Sequence, residues 1–229
     1  MGETMNYAAF LSNRRAKQIP MRVSISEAIR HYRDRYEWFA NIRLQELIKE
    51  QKFEDARDLL EKIIVVVSDK PASLATSYMK LGIIYERLID FERAEAAYRS
   101  ALLLEPTDKQ EWYFAHNNLG FSLNQLERYE EAEVYCRQAI EIEPARHNAY
   151  KNLGVALAAQ GEHAEAAKLF VRATILCPHD GRALSHLEQL LDEHEIVYLQ
   201  LPEIEENLER CRKLVSRKER GGVQGELFQ

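Results

Sequence analysis

Three stretches of the chain repeat one pattern, and this repetition constrains the fold more than any other feature. Each carries Leu-Gly, an Ala twelve residues after the Gly, a second Ala and then a Pro. The final prolines are Pro106, Pro144 and Pro178, so the spacing is 38 residues and then 34. A period of this length indicates an array of similar structural units. Because the longer spacing adds about one helical turn, we expect an extra turn over residues 109–112 at the start of a helix.

The composition predicts that these units are helical. Only 9 Gly and 6 Pro occur in 229 residues, whereas the helix formers Ala, Leu, Glu and Arg are frequent. Gly and Ala at fixed positions allow two helices of a unit to pack closely. Large residues fill the seams between units, and Pro ends the second helix because its ring cannot continue the hydrogen-bond ladder. Each unit then leaves an apolar face that its neighbour covers.

The pattern resembles the tetratricopeptide repeat, a family of helix-turn-helix units of about 34 residues. One unit matches the family at eight positions, which are Tyr78, Leu81, Gly82, Tyr85, Ala94, Tyr98, Ala101 and Pro106. The next departs at His116, Leu123 and Cys136, and the last departs at Leu157. A degenerate unit precedes these three, with Leu44 at the place of the packing Gly.

The resemblance implies an all-α fold, a right-handed superhelical array of about four helix-turn-helix units with C-terminal capping helices. We expect the array over residues 24–180, with units at about 37–70, 75–108, 113–146 and 147–180. Capping helices are predicted over residues 181–218, the first continuing as one helix to residue 200. A partly disordered basic leader over residues 1–23 and a disordered tail over residues 219–229 are predicted at the ends.

The sequence carries no pattern typical of a catalytic or metal site. It has no Gly-rich phosphate loop, no GxSxG and no HExxH, and its seven His are scattered. Cys136, Cys177 and Cys211 are widely spaced, which favours free thiols in a reducing compartment. The net charge of −6 does not favour nucleic-acid binding, and no apolar stretch is long enough to span a membrane. We therefore expect a cytoplasmic, non-enzymatic protein with no metal or cofactor, no direct nucleic-acid contact and no membrane contact.

Family resemblance implies an interaction adaptor or scaffold that binds a partner peptide or helix in a concave groove lined by the first helix of each unit. In the family the residue two before the packing Gly often faces this groove, and here it is Lys80, Asn118 or Asn152. The complete predicted set is Lys80, Phe114, Asn117, Asn118, Phe121, Asn124, Asn148, Lys151, Asn152 and Arg182. These side chains suit a peptide with apolar anchors and an acidic group. The alternative is that Asn118 and Asn152 are only common residues at that repeat position.

Two further hypotheses concern the ends of the chain. The sequence QGELF, residues 224–228, is similar to the motif by which bacterial proteins dock on the replication sliding clamp, with Gln224, Leu227 and Phe228 at its fixed positions. A replication- or repair-linked adaptor is therefore one alternative, although a chance match or a protease-site remnant also explains the motif. The other alternative is a self-assembling scaffold, a homo-oligomer in which an N-terminal helix enters a neighbour's groove. The N-terminal segment, residues 6–11, is also a candidate to lie in the chain's own groove.

Overall fold

The computed structural model describes residues 25–106 and 108–221, and the regular elements of this part of the chain are all α-helices. In chain order they are α1 (Ile25–Lys49), α2 (Phe53–Val66), α3 (Pro71–Arg87), α4 (Phe91–Leu103), α5 (Lys109–Gln125), α6 (Tyr129–Ile142), α7 (His147–Ala159), α8 (His163–Leu176), α9 (Arg182–Glu193), α10 (Ile196–Gln200) and α11 (Ile204–Gly221). The prediction of an all-α array of helix-turn-helix units is confirmed.

Consecutive helices pack against each other, and the first helices of neighbouring units also lie side by side. Helix α3 contacts α5, α5 contacts α7, and α7 contacts α9. The apolar core runs between units, since Tyr98, Leu119 and Leu123 are fully buried in one cluster. The first helices therefore form one continuous face, and the second helices cover the other side of the core.

Three glycines set the closeness of the helices within a unit. A Cβ atom built on Gly82 would lie 2.5 Å from the Tyr98 ring, and one on Gly154 would lie 2.6 Å from the Phe170 ring. On Gly120 it would lie 2.5 Å from the sulfur of Cys136. Real Cβ atoms do not approach other heavy atoms so closely, so the repeated Gly is a steric requirement of the packing.

The extra turn lies where the repeat spacing predicts it. Helix α5 begins at Lys109 and has 17 residues, whereas α7 has 13. The carboxylate of Asp108 caps the helix by accepting a hydrogen bond of 2.6 Å from the main-chain N–H of Gln110. Because one turn is added before the packing Gly, the core-facing side of α5 keeps its orientation.

The C-terminal region differs from the prediction of one helix through residue 200. Helix α9 ends at Glu193, and α10 begins at Ile196 after a turn at His194. The turn allows α10 to pack on α8, where Val197 is completely buried. Burial of Val197 and Leu201 explains the break, because a straight continuation of α9 would carry these residues away from the core.

Helix α11 extends to Gly221, three residues into the segment predicted as a disordered tail. The four residues before Gly221, Arg-Lys-Glu-Arg, are good helix formers, and basic residues are favourable near a helix C-terminus. The rest of that tail, including Gln224, Leu227 and Phe228, lies outside the described residues, as does the predicted basic leader over residues 1–23. None of the described helices is both long and apolar enough to cross a membrane.

Candidate functional site

A cavity of about 310 Å³ opens on the face formed by α3, α5, α7 and α9. We call it the main groove. The residues that line it are Ile83, Glu86, Arg87, Asn117, Asn118, Phe121, Asn148, Lys151, Asn152 and Arg182. Side chains of three units and of the first capping helix therefore meet at one site.

Seven of the ten predicted groove residues line this cavity, and their role in binding stays a prediction. The prediction missed three lining residues of α3, namely Ile83, Glu86 and Arg87. Ile83 and Arg87 follow Lys80 at i+3 and i+7 on the same helical face, so extending that face by two turns identifies them. Glu86 carries the same signal, because it follows Ile83 at i+3 and stands four residues after Gly82, the repeat position that Asn124 has in the next unit.

Three predicted residues lie elsewhere. Lys80 lines a neighbouring cavity, where its ammonium group donates a 2.8 Å hydrogen bond to Oδ1 of Asn41. Phe114 is 37% exposed, and the guanidinium of Arg146 lies 4.9 Å from its ring centre. Asn124 is buried rather than exposed on the groove, and its amide donates to the main-chain carbonyl of Asn152 at 2.8 Å. Asn124 therefore joins α5 to α7 inside the protein.

A chain of hydrogen bonds runs along the floor of the main groove from α7 to α3. The amide nitrogen of Asn152 donates to Oδ1 of Asn117 at 3.1 Å, and the amide of Asn117 donates to Oδ1 of Asn118 at 2.9 Å. The amide of Asn118 contacts the Tyr98 hydroxyl at 3.4 Å, and this hydroxyl donates to Glu86 at 2.8 Å. These amides hold neighbouring units together, so Asn152 is largely occupied within the protein.

Glu86 lies at the α3 end of this chain in a setting unusual for a carboxyl group. Burial raises its pKa to about 7, although the hydrogen bond from Tyr98 and the charge of Arg87 act in the opposite direction. Burial and the adjacent Glu86 also raise the pKa of the Tyr98 hydroxyl. The carboxyl group of Glu86 therefore changes charge near neutral pH.

Lys151 brings a positive charge to the groove that the fold does not neutralise. As a whole residue Lys151 is only 7% exposed, and its ammonium group makes no hydrogen bond or ion pair with the residues that the structure describes. Burial lowers the Lys151 pKa, the charge of Arg182 lowers it further, and Asp180 raises it. Arg182 is paired with Asp180 at 2.7 Å. A cation without a hydrogen-bond or ion-pair partner, on a groove that Arg87 and Arg182 also line, favours an anionic ligand group at this point.

Within the described ranges, no three His, Cys, Asp or Glu side chains come together in a way that could hold a metal ion. The thiols of Cys136, Cys177 and Cys211 are free. The chemistry of the groove is thus that of hydrogen bonding, charge and apolar contact.

Comparison with known proteins agrees with this architecture. Models of the tetratricopeptide repeat match residues 75–108, 113–145 and 147–180. The chain belongs to the tetratricopeptide repeat family. Over 122 residues it is 31% identical to protein O-mannosyl-transferase Tmtc1 of Drosophila melanogaster, a match that covers 52% of this chain and 14% of that protein. The match therefore concerns a small part of the transferase.

Solved structures share the fold of this tetratricopeptide repeat protein. MamA from Desulfovibrio magneticus RS-1 aligns with a TM-score of 0.65 and 18% identity, covering 82% of this chain and 98% of that one. YrrB, described as a TPR protein with an unusual peptide-binding site, aligns with a TM-score of 0.55 and 22% identity over 81% of this chain and 90% of its own. At these identities the likeness shows the fold alone.

The amide chain of the repeat array gives a prediction on stability. Asn152→Ala removes the donor to the buried Oδ1 of Asn117, so we expect the free energy of unfolding to fall by about 1–3 kcal/mol. Asn148→Ala, at a half-buried position of the same groove whose amide makes no hydrogen bond with the described residues, is expected to cost less than about 1 kcal/mol. Urea unfolding followed by circular dichroism measures both. Equal losses would contradict the assignment of Asn152 to the joint between α5 and α7.

Proposed function

We propose that this chain is a non-catalytic protein-interaction module, an adaptor or scaffold that binds an extended segment of a partner protein in the main groove. The observation that carries the proposal is the ammonium group of Lys151, which has no hydrogen-bond or ion-pair partner among the described residues and lines the same cavity as the exposed apolar side chain of Ile83. Neither side chain completes its interactions within the fold. A partner that covers Ile83 and supplies an anionic group to Lys151 satisfies both.

Further residues of the groove suit an extended main chain. Asn118 and Asn148 are half-buried amides on adjacent first helices, and each carries both a donor and an acceptor. Phe121 offers an aromatic surface beside them, packed edge to face on Phe91 at 6.1 Å. YrrB, which shares the fold, is itself described as having a peptide-binding site. These features support a peptide rather than a small metabolite as the ligand.

We propose no catalytic role and no cofactor for this array. Tmtc1 is a transferase, but the match covers 14% of its length, and the activity of the whole protein does not follow from that part. Free thiols at Cys136, Cys177 and Cys211 support a reducing compartment, and we propose the cytoplasm.

Two matched variants test the groove. Ile83→Glu places a carboxylate on the exposed groove position, and Val134→Glu makes the same kind of change on α6, where the side chain is 53% exposed. Peptides selected from a random library with the full chain are labelled and their binding is followed by fluorescence anisotropy. We expect Ile83→Glu to weaken binding by at least about tenfold, which corresponds to about 1.4 kcal/mol, and Val134→Glu to leave it unchanged.

Failure to select any peptide, or equal binding by all three proteins, would refute the proposed function. Self-assembly is a separate outcome of the same variants. If the mass measured by light scattering rises with concentration and Ile83→Glu abolishes the rise, the occupant of the groove is a second copy of this chain.

A further inference from the structure

A second cavity lies next to the main groove along α3, since Lys80 lines it and Ile83, three residues further on, lines the main groove. The residues that line the second cavity include Glu37, Asn41, Thr76, Lys80, Asp108 and Glu111, and we call it the acidic cavity. Lys80 belongs to the acidic cavity, whereas Ile83 and Arg87 belong to the main groove. Since these three residues are three or four positions apart, they share a helical face. A segment that lies across α3 can therefore reach both cavities.

The acidic cavity carries more negative than positive charge. Three carboxylates, those of Glu37, Asp108 and Glu111, face one ammonium group, that of Lys80. Burial lowers the Lys80 pKa, while the charges of Glu37 and Glu111 raise it, so these carboxylates lie close to the amine. Two of the three carboxylates have partners that leave their negative charge in place. Asp108 caps α5, and Glu111 accepts a 2.7 Å hydrogen bond from the hydroxyl of Thr76.

Glu37, the remaining carboxylate, lies near the charges of Lys80 and Arg33, and its one ion pair among the described side chains is shared. Its ion pair with Lys70 spans 2.9 Å, but the same ammonium group also pairs with Asp34. The single positive charge of Lys70 thus pairs with two carboxylates of α1, those of Asp34 and Glu37. The acidic cavity therefore favours a basic side chain of a ligand.

The main groove has the opposite charge. Three cationic residues, Arg87, Lys151 and Arg182, line it with a single carboxyl group, that of Glu86. Asp180 pairs with Arg182, which leaves Arg87 and Lys151 without an ion-pair partner among the described side chains. Ile83 stands between the two cavities and is 39% exposed.

We infer that the segment bound in the groove is bipolar, with a basic residue at one end, an apolar residue in the middle and an acidic residue at the other end. The basic residue lies against Glu37 and Glu111, the apolar residue against Ile83, and the carboxylate against Lys151. The inference rests on the proposed function and adds the charge order of the partner. A segment of reversed order places like charges together at both ends, and this repulsion rejects it.

The experiment uses the peptides selected with the full chain from a random library. The best binder is synthesised in two forms of identical composition, the second with its basic and acidic residues exchanged. Anisotropy titrations at low ionic strength compare them, because salt screens exposed charges. We expect the selected peptides to carry both charges in one fixed order, and the exchange to weaken binding by at least about tenfold. Selected peptides that are uncharged, carry only acidic residues or show both orders would overturn the inference.

Two variants of the chain test which cavity binds each charged residue of the peptide. Lys151→Met keeps most of the length of the side chain and removes its charge. With this variant, replacing the acidic residue of the peptide by Gln should no longer weaken binding. Glu111→Gln should likewise reduce the contribution of the peptide's basic residue to the binding affinity. The contribution of the peptide's acidic residue should stay unchanged in this variant. If exchanged peptides bind as well as the originals, the charge order is refuted and the proposed function stands. If no peptide is selected at all, the proposed function itself fails.

Discussion

Gly82→Ala is expected to lower the free energy of unfolding by up to about 2 kcal/mol, although Ala is the better helix former. The added Cβ would lie 2.5 Å from the ring of Tyr98, a residue that is completely buried. The ring has little freedom to retreat, because its hydroxyl is hydrogen-bonded to Glu86 at 2.8 Å. Overpacking of this kind costs about 1–3 kcal/mol, and the gain in helix propensity of about 1 kcal/mol offsets only part of it.

Gly181→Ala is the matched control for this substitution. A Cβ at Gly181 would meet nothing within 4 Å, and its φ of −64° suits an L-residue. We expect a change within about 0.5 kcal/mol there. Urea unfolding followed by circular dichroism measures both variants. If Gly82→Ala is as stable as Gly181→Ala, the close approach of α3 and α4 is not the reason why position 82 requires Gly.

The period of the repeat predicted the helices because packing within each unit depends on residues that recur along the chain. Gly82, Gly120 and Gly154 meet their partners in the same way, and the inserted turn at the start of α5 does not disturb this register. The turn at His194 could not be predicted in this manner. It depends on the burial of Val197 against α8, a contact between segments that share no repeat position.

The groove was predictable in outline for a related reason. Residues such as Asn148 and Lys151 follow from the shared face of the first helices, whereas the direction of each amide depends on its neighbours. Asn124 illustrates this limit, because its amide turns inward to the main chain of Asn152. The position of Glu86 was predictable, since it matches that of Asn124 in the next unit, but its burial and its hydrogen bond to Tyr98 are properties of the packed helix pair. Periodicity predicts on which side of a helix a residue lies. Which hydrogen bonds its side chain makes depends on the residues of the neighbouring helix.

Glu86→Gln is expected to stabilise the protein above neutral pH by up to about 3 kcal/mol and to leave it almost unchanged near pH 4. Burial raises the Glu86 pKa from 4.5 in the unfolded chain to about 7 in the folded one. Between these values the folded state binds more protons, so the wild type loses stability as the pH rises through this window. Gln carries no charge, and its carbonyl oxygen still accepts the hydrogen bond of Tyr98, so the variant lacks this loss.

The test of the Glu86 prediction is the free energy of unfolding in urea at a series of pH values, compared for wild type, Glu86→Gln and Glu141→Gln. Glu141 is exposed on α6, so its replacement by Gln should change stability by less than about 0.5 kcal/mol at every pH. A difference between wild type and Glu86→Gln that stays constant from about pH 5 to about pH 8 would show that the carboxylate is not desolvated in the folded protein. A difference that grows with pH locates a buried, titrating carboxyl group beside Arg87 on the wall of the groove. The same titration then changes the net charge that the groove presents to its ligand, so an acidic segment should bind more tightly below neutral pH than above it.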